Sequence, residues 1–313
     1  MSATLMTESS LECDATTPAS ACPLCGDVSA RLFEKYGHGI ARCHDCGHRF
    51  AQITVSEAHI DSVYGDDYFQ GGGAGYRDYL SESRLLRAHG RRYGRLLKRF
   101  APAGEVLDVG AAAGFLLQGL LDEGWQGEGL EPNDRMAAYA REQSELNVAT
   151  GSLETFSSDR QFDVVSLIQV VAHFVDPRQA FAKVAELVRP GGLCLIETWN
   201  VASWTARLFG SEWHEYSPPS VLHWFTPDRL ADLLAEFGLH QVARGRPSKW
   251  INAGHAGSLL QHKLSHKRWT RWLASPLNLL PSHLALPYFG DDLFWGVYRK
   301  ASMSRGPTGP QPN

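Results

Sequence analysis

The chain has 313 residues, with 30 Lys and Arg against 34 Asp and Glu and a formal net charge of -4. That length can bury a sizeable core in one or two domains, and the near balance of charge gives no global case for nucleic acid as a partner. No run approaches a membrane span, and the Ser/Thr-rich, acidic opening from Met1 to Ala21 lacks the basic-then-apolar order of a secretory signal, so a cytoplasmic location is expected.

Residues 1–20 and the Gly/Pro-rich stretch 301–313 read as disordered tails. Residues 21–52 hold two knuckles, Cys22-Pro23-Leu24-Cys25-Gly26 and Cys43-His44-Asp45-Cys46-Gly47, with seventeen residues between the pairs. This spacing matches a zinc site. Four thiolates complete a tetrahedron with no open position, so the expected ion is structural. Disulfides are the competing reading, and a reducing compartment argues against them. The segment mixes Arg31, Lys35, Arg42 and Arg49 with Asp27, Glu34 and Asp45. It therefore reads as a small packing module on the substrate side, stabilised by metal, rather than as a nucleic-acid reader.

Residues 53–100 read as a linker, a lid loop and a helix. Tyr64 to Phe69, including Tyr68, is followed by the Gly-rich stretch Gly71 to Gly75 and then Tyr76. Aromatics around mobile glycines suit a lid over a substrate; docking of the linker is the plainer alternative. A helix is expected from about Tyr79 to Phe100, with Leu86, Tyr93, Leu97 and Phe100 on one face.

The catalytic candidate spans residues 101–300. Glu105 to Val109 is an apolar run carrying Asp108, followed by Gly110-Ala111-Ala112-Ala113-Gly114 and a helical pattern from Phe115. A strand, a turn of residues no larger than Ala, and a helix let a ligand approach the backbone closely. A dinucleotide fingerprint would place glycines where Ala112 and Phe115 stand, so an NAD-dependent oxidoreductase fails on spacing. The order Asp-x-Gly-x-Ala-x-Gly resembles motif I of the class I S-adenosylmethionine (SAM)-dependent methyltransferases. The resemblance implies a Rossmann-like seven-stranded α/β sheet with helices on both faces. It also implies that Asp108, Gly110, Ala111, Ala112, Gly114 and Phe115 surround the methionine end of SAM.

A second strand ends in Glu131, with Pro132 after it. A carboxylate roughly 20 residues past the Gly loop suits both ribose hydroxyls. After the third strand, Gly151-Ser152-Leu153 stands where the family contacts adenine, with Ser152 replacing a common Asp. Phe162 to Ile168 with Gln169 to Pro177, then Leu187 to Thr198, resemble motif IV ("FDvv…EH…DP") and an "LkPGG" turn-and-strand motif. Four motifs thus run in family order from Glu105 to Asn200, and the resemblance covers roughly Cys22 to Lys300. A "Y…dYF" stretch also precedes the SAM domain in similar zinc-ribbon methyltransferases, where it covers cofactor and substrate.

Ubiquinone-pathway O-methyltransferases, which the domain resembles, carry a Glu-x-x-Glu-His metal cluster. Gln169, Ala172 and His173 stand there instead, so no catalytic metal is expected. Trp213 to Thr226 resembles the family's acceptor-lining "W…PPeHlyyF" stretch. His173 and His223 are the expected catalytic bases, with His214, Tyr76 and Glu215 as further candidates. Gln169 is expected at the cofactor, and Tyr68, Tyr76, Trp213 and His214 at the substrate. Residues 245–292 read as a cap insertion whose basic, Trp-containing first part also suits a membrane surface or a polyanion. The expected activity is SAM-dependent methyl transfer to a small molecule or sugar, at a hydroxyl oxygen. The rival reading is a non-catalytic SAM-fold module that recognises a partner.

Overall fold

The computed structural model describes residues 20–54, 79–248, 250–252, 285–287 and 290–302. Expectations on the two tails, on Tyr68 and Tyr76, and on most of the cap insertion lie outside these residues.

Strands β1 (Ser29–Lys35), β2 (His38–Cys43) and β3 (Arg49–Gln52) form an antiparallel meander. Its fourth strand comes from far along the chain. β9 (His223–Trp224) pairs with β3, setting Phe50 opposite His223 and Arg49 opposite Trp224. The cysteine-bearing segment therefore shares a sheet with the acceptor-side stretch.

The main sheet contains β4 (Glu105–Val109), β5 (Gln126–Glu131), β6 (Val148–Thr150), β7 (Phe162–Ile168), β8 (Val188–Trp199), β10 (Leu239–Gly245) and β13 (Leu293–Lys300). Their spatial order is β10-β13-β8-β7-β4-β5-β6, with β13 antiparallel to both its neighbours and the remaining pairs parallel. Chain order reverses between β4 and β7, and a ligand crevice belongs outside the carboxyl ends at such a switch point. Alternate residues of the central strands point to opposite faces. Leu107, Val165 and Ile196 join one core with Phe174, Phe181 and Leu230, whereas Val106, Val164 and Leu195 join the other with Tyr93, Leu97 and Leu117. Cys22, Leu24, Cys43 and Phe50 belong to the first core, so the metal-type segment is packed into the domain rather than appended to it.

Among the described residues six α-helices surround the sheets: α1 (Ser83–Leu97), α2 (Phe115–Asp122), α3 (Asp134–Gln143), α4 (Pro177–Leu187), α5 (Trp204–Phe209) and α6 (Pro227–Glu236). Side chains cap four of them, with Asn133, Asp176, Ser203 and Thr226 accepting from backbone N–H groups of the first turn. α1 begins at Ser83 after a short 3-10 turn, not at Tyr79. It crosses α2 at two glycines. A Cβ on Gly90 would lie 2.1 Å from the Leu116 carbonyl oxygen, and one on Gly119 would lie 2.2 Å from that of Arg87. This contact seats the polar side chains of α1 over the strand ends. The Pro190-Gly191-Gly192 stretch is not a turn ahead of the strand but an irregularity within β8. The register against β7 jumps from Phe162–Val188 to Val164–Leu193 there. β11 (Trp250–Asn252) and β12 (Ala285–Pro287) form a small antiparallel pair inside the expected cap.

Candidate functional site

A cavity of about 640 Å3 opens at the carboxyl ends of β4, β5, β7 and β8. This volume is typical of small-molecule sites. Gly110, Ala112, Glu131, Pro132, Ser152, Leu153, Gln169 and His173 all line it. Ala111, Gly114 and Phe115 are buried in the loop and helix behind. Gly110 and Ala111 donate to the Leu130 carbonyl at 2.8 and 3.1 Å. Ala112 and Asn133 donate to the two oxygens of Glu131, each at 2.8 Å. The second acid thus braces the glycine loop as well as facing the cavity.

Asp108 is only 2 % exposed; its Oδ1 accepts from Ser166 Oγ at 2.6 Å, and its Oδ2 is buried without a partner. Burial pushes Asp108 up to about 7 against the pull of the Ser166 hydroxyl. Burial likewise pushes Glu131 up to about 7, against the Asn133 and Ala112 amides, with Asp108 adding to the rise. The orphaned Asp108 oxygen, buried at the strand end behind the cavity, and the paired Glu131 carboxylate on its wall fit SAM, which brings an ammonium group and two ribose hydroxyls.

The opposite wall was not foreseen. Glu197, at the end of β8, is 1 % exposed. It accepts from His89 Nε2 at 2.8 Å and from Gln169 Nε2 at 2.8 Å, and also from the Tyr93 hydroxyl. Arg92 Nη2 donates to His89 Nδ1 at 3.2 Å, which assigns the His89 proton to Nε2. His89, Arg92, Gln169 and Glu197 all line the cavity. Two signals pointed here: an acid closing an otherwise apolar strand, and His89, Arg92 and Tyr93 at i, i+3 and i+4 on one helix. Burial lowers the Arg92 pKa and raises that of Tyr93. Removing the carboxylate strands three donors. Glu197→Ala is expected to cost about 3 kcal/mol or more of unfolding free energy in urea melts; a loss below about 1 kcal/mol would show the network to be dispensable.

The remaining acceptor-side candidates separate. His173 Nδ1 donates to the Ser220 carbonyl at 2.6 Å, and burial lowers its pKa while the carbonyls of Ser220 and Gln169 oppose that. His223 does not line the cavity. Its Nε2 donates to the Phe174 carbonyl at 2.9 Å and its Nδ1 meets His48 Nε2 at 3.1 Å, with burial holding its pKa down to about 4. Both of its nitrogens serve the seam between the two sheets. Trp213 is fully buried, with Nε1 donating to Asp292 Oδ2 at 3.0 Å. His214 Nε2 pairs with Glu215 Oε1 at 2.6 Å; neither these two nor Trp213 lines the cavity. The resemblance of this stretch implied acceptor-side positions, whereas Trp213 packs into a third core with Tyr216 and Trp224.

The four cysteines converge, all their Sγ atoms lying within 4.8 Å of one another. Cys22–Cys46, Cys25–Cys43 and Cys25–Cys46 lie 3.7, 3.4 and 3.5 Å apart. A disulfide needs about 2.05 Å, and a zinc tetrahedron with bonds of ~2.3 Å has edges of about 3.8 Å. Leu24 N–H and Cys46 N–H point at Cys22 and Cys43 sulfur at 3.4 and 3.5 Å, backbone donors of the kind that orient metal-binding thiolates. The donor set fits a structural Zn2+.

A family profile described as a methyltransferase domain matches residues 82–243, more than half of the chain. The chain belongs to this methyltransferase family. Among curated relatives, it is 32% identical over 151 residues to a ubiquinone biosynthesis O-methyltransferase of Cereibacter sphaeroides, covering 44% of this chain and 61% of that one. A protein of the same description from a Ruegeria species is 32% identical over 166 residues, covering 49% and 67%. The chain thus spans about 61% of the length of the first curated relatives it matches. Among solved structures, a candidate methyltransferase of Bacillus halodurans C-125 superposes with a TM-score of 0.51 at 13% identity, covering 68% of this chain and 99% of that one. At that identity the likeness concerns the fold, and it agrees with the Rossmann-like seven-stranded sheet. Among the described residues no helix is long and apolar enough to cross a membrane.

Proposed function

We propose that this methyltransferase-family chain transfers the methyl group of SAM to a hydroxyl oxygen of a small molecule or sugar, with Zn2+ as a structural ion. The observation that carries the reading is the coincidence of the Gly110 loop and the Glu131 carboxylate at one cavity over the sheet's switch point, with the unpartnered Asp108 oxygen buried at the strand end behind them. The O-methyltransferase descriptions of the 32%-identical relatives support oxygen as the acceptor atom. Bound SAM supplies an activated sulfonium methyl. Glu131 and Pro132 receive the ribose, Ser152 and Leu153 flank the base, and Gly110, Ala112 and Asp108 receive the methionine end. Ala111, Gly114 and Phe115 shape that loop. Gln169, held by Glu197, borders the reacting end.

The protein's part in the reaction is alignment and exclusion of water. Proton removal falls to the cavity imidazole of His173, because His223 and His214 lie outside the cavity and both nitrogens of His89 are engaged by Glu197 and Arg92. Tyr68 and Tyr76 are proposed lid residues over the acceptor, with Trp213 and His214 supporting that side from the core. The Gln169, Ala172 and His173 set offers no carboxylate for a catalytic metal.

Calorimetric titration with SAM and S-adenosylhomocysteine tests the reading. Micromolar binding of both is expected, followed by methyl transfer in a screen of phenols and sugars; no binding by folded, zinc-loaded protein would favour a partner-recognition module. The affinity should also depend on pH. Both carboxyls titrate near 7 in the ligand-free protein, so below that pH SAM must displace protons. Kd is expected to rise up to about tenfold per pH unit for each proton released, and to level off above pH 8. A flat profile from pH 5.5 to 8.5 would remove these carboxyls from the site.

A further inference from the structure

The cysteine knuckles are wired to one cavity wall, residues 170–179, by two separate bonded routes. The first leaves the knuckle of Cys22 and Cys25. Leu24, between them, donates its N–H to Cys22 sulfur and accepts from Arg178 Nη1 at 2.8 Å through its carbonyl. Arg178 sits in the first turn of α4, next to cavity-lining Asp176 and Gln179. The second route leaves the knuckle of Cys43 and Cys46. His48 N–H lies two residues beyond Cys46, and the His48 carbonyl accepts from Cys43 N–H at 2.9 Å. The His48 ring meets His223 Nδ1 at 3.1 Å, and His223 Nε2 donates to the Phe174 carbonyl at 2.9 Å. Because the Phe174 carbonyl can only accept, His223 carries its proton on Nε2, and His48 donates from Nε2 to the bare Nδ1. A backbone ladder runs alongside. Ala51 donates to the Leu222 carbonyl at 2.9 Å, and Leu222 donates to the Ala172 carbonyl at 2.8 Å. Phe174, Val170 and His173 line the cavity itself.

Ahead of α4 the wall's regular structure is one short 3-10 turn, Val171–His173, and its Ala172 and Phe174 carbonyls are satisfied from outside by Leu222 and His223. Buried carbonyls left without donors cost free energy. Those two donors lie on and beside β9, which pairs with β3, the strand that follows the Cys43–Cys46 knuckle.

We propose that occupancy of the Cys22-Cys25-Cys43-Cys46 site by zinc is transmitted to the cavity wall at 170–176, with His48 and Arg178 as the positioning residues. The metal centre then sets the shape of the ligand cavity as well as the stability of its own segment. This rests on the metal reading of the four cysteines, and zinc analysis of each sample separates failure of that reading from failure of the coupling.

The test is hydrogen exchange of peptides covering 168–180 on the full chain without SAM. Zinc-loaded His48→Ala is expected to exchange about tenfold faster or more at 171–175, roughly what loss of one buried hydrogen bond implies. His48→Gln, whose amide can still donate to His223, should restore slow exchange. Arg178→Ala should speed exchange around 176–179 instead. Stripping zinc from the wild type with a chelator should speed both regions. Unchanged exchange at 171–175 in zinc-loaded His48→Ala would overturn the proposal, as would equal acceleration in His48→Ala and His48→Gln, which would mark mere loss of packing. Should stripped protein unfold altogether, the zinc-loaded variants alone still decide.

Discussion

Gly110→Val is expected to weaken SAM and S-adenosylhomocysteine binding by at least about a hundredfold while the protein stays folded. Gly110 has φ +71, a region that a β-branched residue avoids. A Cβ there would stand 2.5 Å from Val170 Cγ2, so the new side chain must displace the loop or the cavity wall. A hundredfold loss corresponds to about 2.7 kcal/mol, within reach of strain and overpacking together. Calorimetry gives the affinity, and circular dichroism with zinc analysis checks the fold. Micromolar SAM binding by this variant would show that the cofactor does not approach Gly110. Glu131→Ala should match it by a different cause, since it removes the ribose acceptor and the brace on Ala112 at once.

Loss of the metal should have the largest effect on stability. Cys43→Ser, or chelation of the wild type, is expected to lower Tm by more than about 10 °C. Structural zinc contributes on the order of 10 kcal/mol in small domains, and for a domain of this size each kcal/mol shifts Tm by roughly 2–4 °C. The effect reaches beyond the segment because Cys22 and Cys43 are 3% and 1% exposed within the main core. β3 also supplies the edge on which β9 pairs. Protein that carries no zinc as purified and melts identically with chelator would show that the thiols stabilise the fold unaided.

Legibility followed the range of the interactions. The strand–loop–helix from Glu105 to Leu121 could be read directly because its physics is local: an apolar strand, a turn requiring positive φ at Gly110 and Gly114, and an apolar helix. The helix starts at Asp176-Pro177 and Thr226-Pro227 were equally local, set by capping oxygens and a proline at the first position. The Pro190-Gly191-Gly192 stretch misled because these residues mark a bulge as readily as a turn. Neighbouring strands decide between the two, and β7 drew this stretch into β8.

By itself the sequence determined the zinc-type thiolate set, the glycine loop, the order of acids Asp108 and Glu131, and through them the methyltransferase fold. Each of these depends on residues within about 25 positions of one another, where spacing alone limits geometry. Only the tertiary structure decided which polar side chains face the cavity. His89 and Glu197 are 108 positions apart and meet at 2.8 Å, and His48 and His223 are 175 apart and meet at 3.1 Å. One pair lines the site and the other is sealed in a seam. Such contacts are set by helix crossing and strand pairing, which bring distant backbone together by burying apolar area that carries no label of its partner.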